Sequence, residues 1–70
     1  MYLFDLKKIG ENLRKLRKEK NKSQNEVSTE SDISMRAYQR IEANEVNDVK
    51  LSTIIKLLNY YNITLEELLK

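Results

Sequence analysis

The apolar residues of this chain recur at steps of three and four, and this spacing limits what the chain can fold into. The first stripe consists of Leu6, Ile9, Leu13 and Leu16. Two later stripes consist of Leu51, Ile54, Ile55, Leu58 and Tyr61, and of Leu65, Leu68 and Leu69. Residues at such steps share one face of an α-helix, whereas a half-buried strand requires alternation. The sequence therefore predicts an all-α chain.

Polar residues mark where helices begin. Two capping boxes are present, Ser23 with Glu26 and Thr64 with Glu67. In such a box the hydroxyl accepts from the amide three residues later, and the glutamate reaches back to the first amide. Two further N-cap candidates are Ser34 and Asp48, because a short polar side chain there accepts from a free amide of the first turn.

Short polar residues also mark where helices end. A helix often ends on a left-handed residue, a conformation that glycine prefers and asparagine tolerates. The chain has one glycine and no proline, so we expect Asn21, Asn44 and Asn62 to end helices and Asp32 to lie in a turn. The prediction is a compact domain of five helices, at about residues 5–20, 24–30, 34–43, 50–61 and 65–69.

The size and composition exclude several classes of function. Seventy residues allow a single domain over residues 1–70, with a core too modest for an enzyme cleft. Cysteine and histidine are both absent, which removes disulfides, thiolate chemistry and the usual zinc sites. We expect no enzyme, no metal and no other cofactor. No apolar run approaches the roughly 20 residues of a membrane span, and no signal peptide is evident, so a cytoplasmic protein without membrane contact is expected.

The charge is unevenly distributed along the chain. Residues 1–25 contain eight Lys or Arg and three Asp or Glu, whereas residues 26–50 contain three and six. A basic first helix suits a polyanion such as nucleic acid. On charge alone, a solvated helix face is the favoured interpretation.

The second and third predicted helices are short, and about three residues separate them. Too little length is available for antiparallel packing, so the pair forms a steep corner of the helix-turn-helix kind. The side chains expected inside the corner are Val27, Ile33, Tyr38 and Ile41. The side chains expected on the outer face of the third helix are Met35, Arg36, Gln39 and Arg40.

Several runs of residues together carry a family resemblance. They are IGENLRKLRKEK at 9–20, SQ at 23–24, IS at 33–34, YQRIE at 38–42 and NITLEELL at 62–69. At these spacings the chain resembles the lambda-repressor/Cro-like (Xre-type) helix-turn-helix transcriptional regulators over about residues 6–69. The resemblance implies a five-helix domain whose third helix reads the major groove of DNA.

The resemblance also implies roles for individual residues. The implied base contacts are Met35, Arg36 and Arg40, with Gln39 reaching a base or a phosphate. The implied phosphate contacts are Lys22, Ser23, Gln24 and Ser34. Arg17 and Glu42 would form a structural ion pair between the first and third helices. The chain departs from the family pattern at Ser28, Ser31, Asp32, Ala43 and Asn44.

Three functional hypotheses follow. The first is a homodimeric, sequence-specific regulator that binds a pseudo-palindromic DNA operator, acting as a repressor of the phage, mobile-element or restriction-modification-controller type. The second is an antitoxin that binds a toxin and also represses its own promoter. The third is a protein-interaction module without a DNA role. Tyr60 has two interpretations, a subunit interface or packing on Leu3 or Phe4.

Overall fold

The computed structural model describes residues 6–45 and 49–70. Within them the chain forms five α-helices, α1 (Leu6–Glu19), α2 (Gln24–Ser31), α3 (Met35–Glu42), α4 (Leu51–Tyr61) and α5 (Leu65–Leu69). The described residues contain no strand. The all-α prediction is confirmed, and every predicted helix boundary lies within one residue of the observed one.

Three of the four predicted N-caps are observed. Both reciprocal hydrogen bonds of the capping box form at Ser23 and again at Thr64. The Ser34 hydroxyl accepts from the amide of Ala37 at the start of α3. The fourth candidate, Asp48, lies outside the described residues. The residue at the N-cap of α4 is Lys50, and its side chain makes no capping hydrogen bond.

The predicted helix ends adopt the left-handed conformation. The φ angles are 60° at Asn21, 61° at Asp32, 61° at Asn44 and 55° at Asn62. An asparagine or aspartate tolerates this region better than other residues that carry a Cβ, because its short polar side chain bonds locally. Four short polar residues therefore end the first four helices without glycine.

The core lies where α1 packs on α3 and α5, and where α2 packs on α3 and α4. Its buried apolar residues are Ile9, Leu13, Val27, Ile33, Tyr38, Ile41, Ile54, Leu57, Tyr61 and Leu68. All four residues predicted inside the helix-turn-helix corner belong to this set. The side chain of Leu6, the first of the predicted α1 stripe, lies outside the described part.

The stripe predicted for α4 is partly wrong. Leu51 is 73% exposed and Ile55 is 49% exposed, whereas Leu57, which the stripe omitted, is fully buried. The buried face of α4 follows residues 54, 57, 58 and 61, so the helix is rotated relative to the prediction. Leu65, which was assigned to the α5 stripe, is 44% exposed. α4 carries more apolar residues than one face holds, and periodicity alone does not choose among them.

Gly10 lets α1 approach the end of α3 closely. A Cβ atom at this position would lie 2.6 Å from the Ile41 carbonyl oxygen and 2.9 Å from Asn44 Oδ1. Glycine inside a helix normally costs about 0.5–1 kcal/mol relative to alanine. Here it allows a contact that fixes the distance between α1 and the C-terminal end of α3.

Ser28 and Ser31, two of the positions at which the chain departs from the pattern that it resembles, are buried and hydrogen-bonded. The Ser28 hydroxyl donates to the Ile33 carbonyl oxygen, and the Ser31 hydroxyl donates to the Val27 carbonyl oxygen. A buried hydroxyl is tolerated when it has a hydrogen-bond partner. The Ser28 bond also spans the turn between α2 and α3, so it stabilises the corner.

Among the helices of residues 6–45 and 49–70, none combines the length and apolar character required to cross a bilayer.

Candidate nucleic-acid interface

The helix α3 has one buried and one exposed face. Tyr38 and Ile41 are buried, whereas Arg36 and Arg40 are exposed. Residues four apart lie above one another on a helix, so the two guanidinium groups share one strip of the surface. Gln39 is also exposed and Met35 is half-buried. The four residues predicted to contact bases therefore lie on or beside one accessible face.

Tyr38 fixes the inner side of α3. Its ring is fully buried, and its hydroxyl lies 2.8 Å from the hydroxyl of Tyr61 on α4. Burial, together with this hydrogen bond, raises the pKa of Tyr38 far above its ordinary value of 10.0. Both hydroxyl groups stay protonated at neutral pH, so one can donate to the other.

An ion pair joins α1 to the end of α3. Arg17 Nε lies 2.9 Å from Glu42 Oε2, and the Glu42 side chain is 1% exposed. Arg17 also donates to the carbonyl oxygen of Lys22 at 3.0 Å. Burial alone would raise the pKa of Glu42, but hydrogen bonds from Arg17, Tyr38 and Gln24 outweigh burial and hold the pKa below 4.5. The hydrogen bond to Glu42 raises the pKa of Arg17.

Gln24, the first residue of α2, extends the network to the surface. Its Nε2 donates to Glu42 Oε1 at 3.1 Å, and its Oε1 accepts from Gln39 Nε2 at 3.5 Å. The side chain is therefore bonded within the protein on both sides. A phosphate contact at this position would come from main-chain amides at the start of α2, which point outward from a helix N-terminus.

The other expected phosphate contacts also have partners within the chain. Lys22 Nζ lies 3.1 Å from Glu30 Oε2. The hydroxyl oxygens of Ser23 and Ser34 accept from amides of the helices that they cap. A hydroxyl that accepts still has a hydrogen to donate, so each serine keeps one hydrogen-bond donor for a ligand.

Arg36 and Arg40 differ in how they are held. Arg40 Nη2 donates to the main-chain carbonyl oxygen of Glu45 at 3.3 Å in an exposed position, which orients the guanidinium along the C-terminal end of α3. Arg36 makes no hydrogen bond with residues 6–45 and 49–70.

The sequence interpretation missed a groove of about 610 Å³ beside α3, between the helix-turn-helix corner and α4. Arg40, Lys50 and Lys56 are among its lining residues. Lys56 Nζ donates to the Asp32 carbonyl oxygen at 2.9 Å, which ties α4 to the turn. These residues lie far apart in sequence, so no local pattern predicts that they meet.

Tyr60 on α4 packs against the edge of the core and contacts both α2 and the residue that follows α1. Its hydroxyl donates to Glu30 on α2, and its ring meets that of Tyr61 edge-on, with 4.9 Å between centroids. Lys20 Nζ lies 5.2 Å from the Tyr60 ring centroid, within cation–π range. The packing partners suggested from sequence, Leu3 and Phe4, lie outside the described residues.

In the part of the chain that the structure describes, no three acidic, histidine or cysteine side chains come together as a metal site would require. The arrangement consists of a short helix, a left-handed turn and a second helix whose polar face is accessible. These features define a helix-turn-helix domain. The chain belongs to the helix-turn-helix family of the Xre, lambda-repressor-like type, whose model matches residues 13–68.

Membership of this family identifies the chain as a DNA-binding helix-turn-helix regulator, and the family is regulatory rather than enzymatic. Searches of curated proteins and of solved structures found no match.

Proposed function

We propose that this protein is a homodimeric transcriptional repressor that binds a pseudo-palindromic DNA operator with α3 in the major groove. One observation carries the proposal. Arg36 and Arg40 project from the accessible face of a helix whose opposite face is fixed by Tyr38. The regulator acts in the cytoplasm, on DNA of a phage, a mobile element or a restriction-modification locus.

Sequence readout would come from the exposed face of α3. The forked guanidinium group of an arginine matches the O6 and N7 acceptors of guanine, and such a pair contributes about 1–3 kcal/mol of discrimination. Arg36 and Arg40 are therefore assigned to guanine. Met35 supplies an apolar surface suited to a thymine methyl group, and Gln39 supplies an amide.

Phosphate contacts would position α3 without reading sequence. The start of α2 presents main-chain amides near Ser23 and Gln24, and a helix N-terminus attracts an anion. The hydroxyl of Ser34, which caps α3, and the ammonium group of Lys22, two residues before α2, are assigned to further phosphate contacts. The basic exposed residues of α1 add attraction that is independent of sequence and falls with salt.

Exposed apolar residues support a dimer. Leu51, Ile55 and Leu65 are 73%, 49% and 44% exposed, and apolar residues left on a surface often mark an interface. A twofold dimer would place two α3 helices about 34 Å apart, one turn of the duplex, and so match a pseudo-palindrome. Sedimentation of the protein with and without Leu51→Lys and Ile55→Lys tests this: a wild-type monomer, alone and on DNA, would contradict the dimer.

The central experiment is selection of binding sites from random duplex DNA, followed by affinity measurements across salt concentrations. Arg40→Ala is expected to lose preference for the selected site over random duplex, because a base contact is removed. Lys18→Ala, on the exposed side of α1, is expected to weaken binding to the selected and the random duplex alike. It should also lower the slope of log affinity against log salt concentration by about one. Equal losses on both duplexes for Arg40→Ala would contradict base readout by α3.

A further inference from the structure

We infer that the groove beside α3 binds a small phosphate monoester with an aromatic body, such as a nucleoside monophosphate, and that this ligand competes with DNA. The groove lies between the helix-turn-helix corner and α4, and its volume is about 610 Å³. Pockets for small molecules span roughly 300–1,000 Å³. Binding of the ligand is independent of the proposed function, whereas the competition rests on it, because it requires DNA on α3.

The charged side chains around the groove favour a dianion. Arg40 on α3, Lys50 just before α4 and Lys56 on α4 line it, and Asp32 is the one carboxylate among the described lining residues. Three cations against one carboxylate leave an excess of two positive charges. A phosphate monoester carries a charge of about −1.5 to −2 near pH 7, which matches this excess.

Two of the three cations are held by main-chain carbonyl oxygens. Lys56 Nζ donates to the Asp32 carbonyl oxygen at 2.9 Å, and Arg40 Nη2 donates to that of Glu45 at 3.3 Å. A carbonyl oxygen orients a cation without neutralising it, and both groups have further donors for a ligand. Lys56 also lies 3.7 Å from Asp32 Oδ2, but the Asp32 side chain is 97% exposed, so solvent weakens this ion pair.

The uncharged lining residues suit the body of the ligand. The apolar ones are buried or half-buried, and they are Ile33, Ala37, Ile41 and Val49. The hydroxyl-bearing ones, which can donate to or accept from a sugar hydroxyl, are Ser34, Ser52 and Thr53. An aromatic ring would cover the apolar residues while the phosphate contacts the cations.

A free ligand fits the groove better than the backbone of DNA does. A phosphate of the duplex carries a single charge and has further phosphates on either side. The carboxylate of Asp32 is almost fully exposed beside the groove, so it would repel the successive phosphates of a polyanion. A small ligand brings one phosphate group, and its ring gives the apolar residues a partner that the DNA backbone lacks.

Arg40 makes ligand binding and DNA binding compete. It lines the groove, and the proposed function assigns its guanidinium group to a guanine. Ser34 also lines the groove, and its hydroxyl is assigned to a DNA phosphate. A ligand that occupies both side chains therefore lowers the affinity for the operator and acts as an inducer.

The first test measures ligand binding to the DNA-free protein by isothermal titration calorimetry. The probes are adenosine monophosphate and phenyl phosphate, with adenosine and phenol as the counterparts that lack phosphate. Each monoester is expected to bind at least about tenfold more tightly than its counterpart, because charge-assisted hydrogen bonds are lost without the phosphate. The amide resonances of Ser34 and Thr53 should shift on titration. Failure of both monoesters to bind, or shifts that omit these residues, would overturn the inference.

Variants locate the site. Lys50→Met and Lys56→Met should each weaken binding of adenosine monophosphate roughly two- to fivefold, and Asp32→Asn should strengthen it by a similar factor. Asparagine tolerates the left-handed conformation of residue 32, where φ is 61°, so the corner is retained. Lys70→Met, at the end of α5, removes the same charge outside the groove and serves as the matched control. Wild-type affinity in both Lys50→Met and Lys56→Met would overturn the inference.

The second test measures competition by fluorescence anisotropy of a labelled duplex enriched by selection. At about ten times its dissociation constant, adenosine monophosphate should lower the affinity of the wild-type protein for this duplex about tenfold. Adenosine at the same concentration and ionic strength should not. An affinity that does not change although the monophosphate binds would overturn the competition.

The outcomes separate this inference from the proposed function. If no duplex is enriched by the wild-type protein, the proposed function fails, and calorimetry still decides whether the groove binds the ligand. If Lys50→Met and Lys56→Met weaken DNA binding but leave monophosphate binding intact, the groove belongs to the DNA backbone and only the inference is overturned.

Discussion

The hydroxyl of Tyr38 on α3 lies 2.8 Å from the hydroxyl of Tyr61 on α4, and both side chains are buried. Tyr38→Phe should lower the free energy of unfolding by about 1–3 kcal/mol, because it leaves the Tyr61 hydroxyl without this partner. The double variant Tyr38→Phe, Tyr61→Phe should cost less than the sum of the two single changes, since both hydroxyls are then removed. Urea denaturation of the wild type, the two single variants and the double variant gives the four free energies of unfolding. If the losses of the two single variants add up to that of the double variant, the two hydroxyl groups are not coupled.

The Arg17–Glu42 pair makes stability depend on pH. The folded-state pKa of Glu42 lies below its ordinary value of 4.5. The contribution of ionised Glu42 to the free energy of unfolding is therefore complete above pH 4.5. It is lost as the pH falls through the folded-state pKa, which lies below 4.5. We expect the free energy of unfolding to fall on the acid side of pH 4.5, measured by urea denaturation at a series of pH values.

The matched controls for this pH dependence are two arginine variants. Arg17→Met leaves Glu42 buried without its main partner, a change that costs about 3–5 kcal/mol near neutral pH. Its deficit should shrink as the pH falls, because protonation of Glu42 then relieves the unpaired charge. Arg14 lies 3.9 Å from Glu42 and its side chain is 55% exposed, so Arg14→Met should cost at most about 1 kcal/mol. A deficit for Arg17→Met that is constant with pH would argue against this assignment.

Gly10→Ala should destabilise the domain although alanine is the better helix former. The added methyl group would meet the Ile41 carbonyl oxygen at 2.6 Å and Asn44 Oδ1 at 2.9 Å. Separating α1 from α3 costs about 1–3 kcal/mol, which exceeds the gain of up to about 1 kcal/mol in helix propensity. Thermal unfolding gives the comparison, with Lys15→Ala on the exposed face of α1 as the control. A higher melting temperature for Gly10→Ala would show that the helices are not in close contact.

Glu30→Gln should strengthen DNA binding if Lys22 contacts phosphate. In the free protein Lys22 Nζ lies 3.1 Å from Glu30 Oε2, and Glu30 also accepts from Tyr60. Removing the carboxylate releases the ammonium group of Lys22 and deletes a negative charge from the last turn of α2. Affinity for random duplex should rise and the salt slope should increase by up to about one. Glu66→Gln on α5 is the charge-matched control, and equal effects of the two changes would exclude a specific role for the Lys22 pair.

Local signals explain why the helices were predictable. The capping boxes at Ser23 and Thr64 and the stops at Asn21 and Asn62 depend on residues within four positions of each other. The exposure of Arg36 and Arg40 followed from helical geometry, once Tyr38 and Ile41 were assigned to the core.

The parts of the fold and of the candidate site that the sequence did not predict depend on contacts between residues far apart in the chain. The rotation of α4 that buries Leu57 and exposes Leu51 is set by the surfaces of other helices. The bond from Gln24 to Glu42 joins residues 18 positions apart, so no local pattern reveals it. The assignment of Gln24 to phosphate came from family resemblance. A resemblance predicts where a residue lies in the fold, but it does not predict which side chain it bonds to.

The use of asparagine and aspartate as helix stops has a consequence for the evolution of this domain. At such positions glycine relieves steric strain in the folded chain but adds freedom to the unfolded one, so the two effects oppose each other. Exchange between the two kinds of residue is then close to neutral and drifts readily. Sequence signatures that require glycine at these corners will therefore pass over descendants that keep the same architecture.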